Sequence, residues 1–161
     1  MARAPFIPPS PSEEAYKADE DQGEVFTKSD PFVLFEEWFA LARAHEPNDP
    51  NAMALATADK EGAPDVRMML LKDFGPDGLS FYSTETSAKG RQLAGNARAA
   101  LLFHWKSIRR QVRFRGAIEK LPIREADAYF TERARGARIA AWASKQSAPL
   151  ESRAALDAAL A

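Results

Sequence analysis

The chain has 161 residues, 45% of them hydrophobic and 28% charged, a globular composition for one ordinary domain with one core. Its 22 basic and 23 acidic residues give a net charge of −1, so no global charge favours nucleic acid or an anionic membrane. With no cysteine and only His45 and His104 as imidazoles, the sequence excludes disulfides, thiolate-held metals, thiol catalysis and a multi-histidine metal centre. No apolar run approaches the roughly 18 residues of a membrane span, and no basic-then-apolar leader opens the chain, so a soluble cytoplasmic protein is expected. For a compact monomer of 17.8 kDa, surface scaling predicts an exposed area of roughly 8,000 Å².

Residues 1–29 are acidic and proline-rich with few apolar side chains, and read as a mobile arm. Structure is expected to begin at Asp30-Pro31, where an N-cap and a first-turn proline precede Phe32, Phe35, Trp38 and Phe39 at helical spacing to about Ala44. Beyond Asn51 the pattern becomes extended. Ala52 to Ala58 and Val66 to Phe74 read as strands joined by a turn at Asp59–Gly62. Gly75–Gly78 is a second turn, leading to a strand at Leu79–Ser83. A short helix follows at Thr86–Leu93, then strands at Ala99–Trp105 and Arg110–Leu121. Helices are expected from Pro122, over Arg138–Ser144, and over Leu150–Leu160. Antiparallel hairpins with peripheral helices favour a mainly β fold built as a small barrel, covering residues 30–150, with 151–161 as a helical remnant.

Several clusters carry chemistry, each with a plainer reading beside it. Arg67 and Lys72 bracket the apolar stretch Met68, Met69, Leu70 and Leu71; five residues apart, they point to opposite faces of a regular strand. They are either ligand cations or two surface charges. Tyr82-Ser83 followed by Thr86-Ser87-Ala88-Lys89-Gly90 runs a strand end into a helix start, suited to phosphate or simply to capping. Lys106, Arg109, Arg110, Arg113 and Arg115 form a basic run, but strand alternation divides its charges between faces and weakens an RNA reading. Gln111 can bond a heteroaromatic ring or sit on the surface. Tyr129 and Arg133 are one helical turn apart, either an aromatic wall beside a phosphate grip or an ordinary amphipathic face. Trp142 to Ser147 ends a helix in polar residues.

The order of these pieces is itself informative. Arg67–Lys72, Phe81-Tyr82-Ser83, Ser87-Ala88-Lys89, Leu101–Trp105, Arg110-Gln111-Val112, Tyr129-Phe130 with Arg133, and Ala141–Ser147 closely resemble the pyridoxine/pyridoxamine 5′-phosphate oxidase family over about Asp30 to Leu150. The resemblance implies an FMN-binding split β-barrel that forms a homodimer with the flavin held between subunits. It assigns Arg67 and Lys89 to the FMN phosphate. Met68, Met69, Leu70, Leu71, Lys72, Tyr82 and Ser83 line the cofactor in this reading, with Gln111, Gln146 and Ser147 as further contacts. Lys72, Tyr129 and Arg133 match the substrate-phosphate grip. The implied reaction is oxidation of pyridoxamine or pyridoxine 5′-phosphate by O₂ to pyridoxal 5′-phosphate, with hydrogen peroxide released.

The sequence departs from the family pattern in four places. Ala88 stands at a position that often carries a phosphate-binding arginine, Ala137 at that of a substrate-binding serine, and Glu13 at that of an arginine in an amino-terminal motif. The chain also ends at Ala161, and nothing in it matches a later family segment carrying a tryptophan and arginine for the flavin and an Arg-x-His motif for substrate. The expectation is a truncated or shortened relative. A related flavoprotein acting on another reduced heterocycle, or a flavin-binding module without turnover, are the alternative readings.

Overall fold

Asp30 begins the ordered core as its sequence context requires: its Oδ1 accepts from the backbone N–H of Phe32 at 2.8 Å and of Val33 at 3.4 Å. The computed structural model describes residues 12–14 and 24–160, so most of the expected amino-terminal arm lies outside the described residues. Helix α1 spans Pro31–His45. Its Phe35, only 2% exposed, meets the rings of Phe74, Phe103 and Phe114 at centroid distances of 4.9, 5.3 and 5.1 Å. These edge-on aromatic contacts attach the helix to the sheet beneath it.

That sheet has four antiparallel strands in the order β2-β1-β5-β6: β1 Ala52–Ala58, β2 Pro64–Leu70, β5 Arg98–Trp105 and β6 Arg110–Ala117. A separate hairpin joins β3 Asp73–Gly75 to β4 Gly78–Ser80. Alternation sorts the main sheet into two faces. Met53 and Leu55 of β1 and Leu101, Phe103 and Trp105 of β5 point into the core with α1. The opposite face carries Ala52, Ala54, Ala56 and Ala58 of β1 beside Val66, Met68 and Leu70 of β2.

Several boundaries differ from expectation, among them the start of the helix expected at Arg138, which lies at Arg135. The single strand expected over Val66–Phe74 is two strands, because the backbone changes partner: the Leu71 N–H donates to the Asn51 carbonyl at 2.9 Å, the Lys72 N–H to the Ser80 carbonyl at 2.8 Å. The strand expected to reach Ser83 ends at Ser80. Strand β6 stops at Ala117 rather than Leu121, since its partner β5 begins at Arg98 and leaves nothing opposite. The last helix begins at Arg153, not Leu150, with the Ser152 hydroxyl accepting from the Ala155 N–H at 3.0 Å.

The remaining helices are α2 Ala88–Gly95, α3 Ile123–Glu132, α4 Arg135–Ala143 and α5 Arg153–Leu160. The architecture is mainly β with peripheral helices, and it is the split form of a barrel: β2 and β6 remain as edges. The helices α3, α4 and α5 bury no residue, and Trp142 is 82% exposed. Among the described residues, no helix is long and apolar enough to cross a membrane.

Candidate functional site

Two groups of side chains meet at β2. The first is a basic corner at the start of α2. Ser87 caps this helix, its hydroxyl donating to the Thr84 carbonyl at 2.7 Å and accepting from the Gly90 N–H at 3.3 Å. The turn is tight enough to require glycine next to it, because a Cβ at Gly90 would come within 2.1 Å of the Glu85 carbonyl oxygen. Lys89, 5% exposed, donates from Nζ to Gln146 Oε1 at 3.0 Å and to Ser87 Oγ at 3.3 Å. Burial pushes its amine below the ordinary lysine value, and the positive charge of Arg67 pushes the same way.

Arg67 itself is fully engaged. Its guanidinium donates to Thr57 Oγ1 at 2.6 Å, the Leu55 carbonyl at 3.1 Å, Gln92 Oε1 at 3.0 Å and Asp65 Oδ2 at 2.5 Å. The Asp65 carboxyl is held below its usual range by a hydrogen bond from Gln92, with Arg67 adding to the effect. The two cations therefore differ: Arg67 has a carboxylate partner, whereas Lys89 is held by neutral oxygens alone among the described residues. A buried ammonium in that state is stabilised by any anion that reaches it.

The second group lines a cavity of about 600 Å³ between the end of β2 and the α3–α4 junction. Met68, Met69 and Leu70 form one wall, with Lys72 and Tyr82 beside them. Tyr129, Arg133 and Ala137 supply the other. The rings of Tyr82 and Tyr129 stack 3.9 Å apart at 3°, and Lys72 Nζ lies 5.6 Å from the Tyr129 centroid. Burial first, then neighbouring groups led by Glu125, raises the Tyr82 phenol above its usual value.

Tyr129 and Arg133 do share this cavity, but not through a continuous helix. Helix α3 ends at Glu132, and Arg133 adopts an extended conformation (φ −67°, ψ 145°), its N–H donating to the Phe130 carbonyl at 3.3 Å. A kink, rather than helical periodicity, turns the guanidinium toward the cavity. Arg67 and Lys72 diverge, one toward Thr57 and Gln92, the other toward Tyr129, with the strand ending at Leu70 between them.

Other expected cofactor residues are not gathered within this chain. Leu71 is 4% exposed in the hydrophobic core, with its carbonyl accepting from Asn51 Nδ2 at 2.9 Å, and it is not among the residues lining the Tyr82–Tyr129 cavity. Gln111 stands opposite His104 on the outer sheet face. Ser83 is exposed, Ala88 half-buried, and Ser147 sits in a left-handed turn with φ 63°. The basic run divides as alternation requires: Arg110 lies over the Trp38 ring at 5.1 Å, while Arg113 and Arg115 fall on the face shared with Gln111.

Sequence reasoning missed Asp65, Thr57 and Gln92 around Arg67, and Glu132 and Ala134 in the cavity. The Asp65-x-Arg67 spacing, which sets both on one strand face, was a usable signal for the first. Thr57 and Gln92 required the strand register.

The fold is that of the split-barrel proteins, and it sets a basic corner beside an aromatic cavity. A family model described as pyridoxamine 5′-phosphate oxidase matches residues 42–161, and the chain belongs to that family. It is 57% identical over 163 residues to the pyridoxine/pyridoxamine 5′-phosphate oxidase of Maricaulis maris, covering 100% of this chain and 73% of the relative. The Rhizobium etli protein of the same name is 61% identical over 137 residues, covering 84% of this chain and 66% of the relative. The chain thus spans about two thirds of the length of the curated relatives it matches. Among solved structures, PhzG from Burkholderia lata, in complex with tetrahydrophenazine-1-carboxylic acid, superposes with a TM-score of 0.79 at 30% identity, covering 83% of this chain and 66% of that one. An FMN-binding protein related to pyridoxamine 5′-phosphate oxidase from Nostoc punctiforme shares the fold, with a TM-score of 0.64 at 18% identity and coverage of 81% and 73%.

Proposed function

We propose that the chain binds FMN and serves the oxidation of pyridoxamine 5′-phosphate or pyridoxine 5′-phosphate by O₂. The observation that carries the reading is the buried Lys89 ammonium, which has no carboxylate partner among the described residues and lies close enough to Arg67 for their charges to repel. That donor set fits the phosphate of a flavin mononucleotide, since a dianion placed there offsets both positive charges. Arg67 and Lys89 would hold the phosphate, with Gln146 and Ser87 orienting the lysine.

When bound, FMN supplies a two-electron acceptor: a hydride equivalent leaves C4′ of the substrate and is passed on to O₂, giving pyridoxal 5′-phosphate and hydrogen peroxide, with water consumed and ammonia released when the substrate is the amine. The chain's task is then positioning. Lys72 and Arg133, neither with a carboxylate partner among the described residues, would grip the substrate phosphate, and the Tyr82–Tyr129 side of the cavity would receive its pyridine ring. Ala88 and Ala137 contribute no side-chain donor, so the side-chain charge for anion binding comes from the cations named here.

The same reading includes a homodimer with sites shared between subunits. It is supported by the exposed apolar row Val66, Met68 and Leu70 on edge strand β2, with Met68 65% exposed, and by Gln111 lying on that face of the sheet, away from the basic corner. We further propose residues 30–150 as the flavin-binding domain, with 1–29 as an acidic arm and 151–161 as an appended helix.

The likeness to PhzG supports a second reading, oxidation of another reduced heterocycle. A peroxide assay on the FMN-loaded protein decides between them. Stoichiometric peroxide and pyridoxal 5′-phosphate from either vitamer phosphate supports the first, peroxide from a reduced phenazine carboxylate alone supports the second, and none from any substrate contradicts both.

A further inference from the structure

We propose that Glu132 recognises the ammonium group of an amine substrate, making the cavity selective for pyridoxamine 5′-phosphate over pyridoxine 5′-phosphate. The inference rests on the reading that this cavity receives a phosphorylated pyridine. Glu132 is the last residue of α3 and lines the cavity next to Arg133. Among the described residues its carboxylate forms no ion pair or hydrogen bond, although Lys72 and Arg133 line the same space. Glu125 and Asp73 also act electrostatically on Tyr82, yet neither lines the cavity.

The cavity therefore holds two cations and one carboxylate that do not neutralise one another, a net single positive charge. Pyridoxamine 5′-phosphate complements that set: its phosphate carries close to two negative charges and its amine one positive charge. The two groups sit on adjacent ring carbons, and Glu132 and Arg133 both line the cavity that would receive them. With pyridoxine 5′-phosphate the cation is replaced by a hydroxyl, which satisfies the carboxylate less well and leaves it facing the incoming phosphate. A charge-assisted hydrogen bond from the ammonium separates the two ligands.

Calorimetric titration of both vitamer phosphates into FMN-loaded wild type and Glu132→Gln tests this. The substitution is expected to weaken pyridoxamine 5′-phosphate about tenfold or more, to leave pyridoxine 5′-phosphate unchanged or slightly tighter, and to spare FMN. Glu132→Asp, which keeps the charge, should recover part of the loss. Equal effects on both ligands, or none on either, would overturn the assignment while leaving the cavity reading intact. If wild type binds neither vitamer, the cavity reading itself fails and this inference with it.

Discussion

Lys89 and Gln146, 57 residues apart in sequence, are joined by a 3.0 Å hydrogen bond that ties the first turn of α2 to the segment after α4. The contact fixes where a buried positive charge points, and it makes that charge depend on a segment whose own helices bury nothing. Anion binding at Lys89 must therefore follow its protonation. Its amine is lowered by burial and by Arg67, so it loses its proton at a lower pH than a free lysine.

The pH prediction has two opposite signs. FMN affinity should fall as pH rises through the lowered Lys89 value, because the ammonium is the form that binds phosphate. Stability of the flavin-free protein should rise over the window between that value and the ordinary lysine value, because there the unfolded chain binds the proton more tightly. Fluorescence titration and denaturant melts across alkaline pH read both effects. Lys89→Arg, which keeps its charge, should flatten both trends.

Arg133→Leu should weaken pyridoxamine 5′-phosphate binding roughly tenfold or more while leaving FMN affinity nearly unchanged, since Arg133 lies in the cavity and forms no part of the Lys89 corner. Titration of the flavin-loaded variant checks this. Unchanged substrate affinity would return Arg133 to the surface.

Gly90→Ala should destabilise the protein by about 3 kcal/mol, because the new Cβ would meet the Glu85 backbone carbonyl at 2.1 Å and no flexible side chain is there to yield. Urea melts give the loss. The helix start that presents Lys89 shifts with it, so FMN affinity should drop in the same variant.

Phe35→Ala should cost about 3–5 kcal/mol. Its ring contacts residues of α1, β3, β5 and β6, so truncation opens a void where the helix meets both sheets. A cost below about 1 kcal/mol would mean that α1 is not docked as described.

The parts of this molecule that follow local rules were legible in sequence. Asp30-Pro31 marked the helix start, Asp59–Gly62 marked the first hairpin turn, and the alternation of Met53, Leu55 and Thr57 with alanines marked β1. What depended on long-range pairing was not. The break after Leu70 arises because Lys72 pairs with Ser80 instead of extending β2, and no residue at 71 or 72 signals a turn. The kink at Arg133 has no proline or glycine at that position to announce it. In the candidate site, the motif residues stood out in the sequence, but their placement was hidden: Leu71 went to the core, Gln111 to the outer face, and Asp65, Thr57 and Gln92 closed around Arg67.

The central claim is that the Lys89 corner binds a flavin phosphate, and the most direct measurement is the affinity of wild type and Lys89→Ala for FMN and for riboflavin by flavin fluorescence. A charge-assisted bond contributes about 1.5–3 kcal/mol, so the variant should lose roughly ten- to hundredfold in FMN affinity while its riboflavin affinity barely moves. Equal losses for both flavins, or no preference for FMN in wild type, would contradict the account.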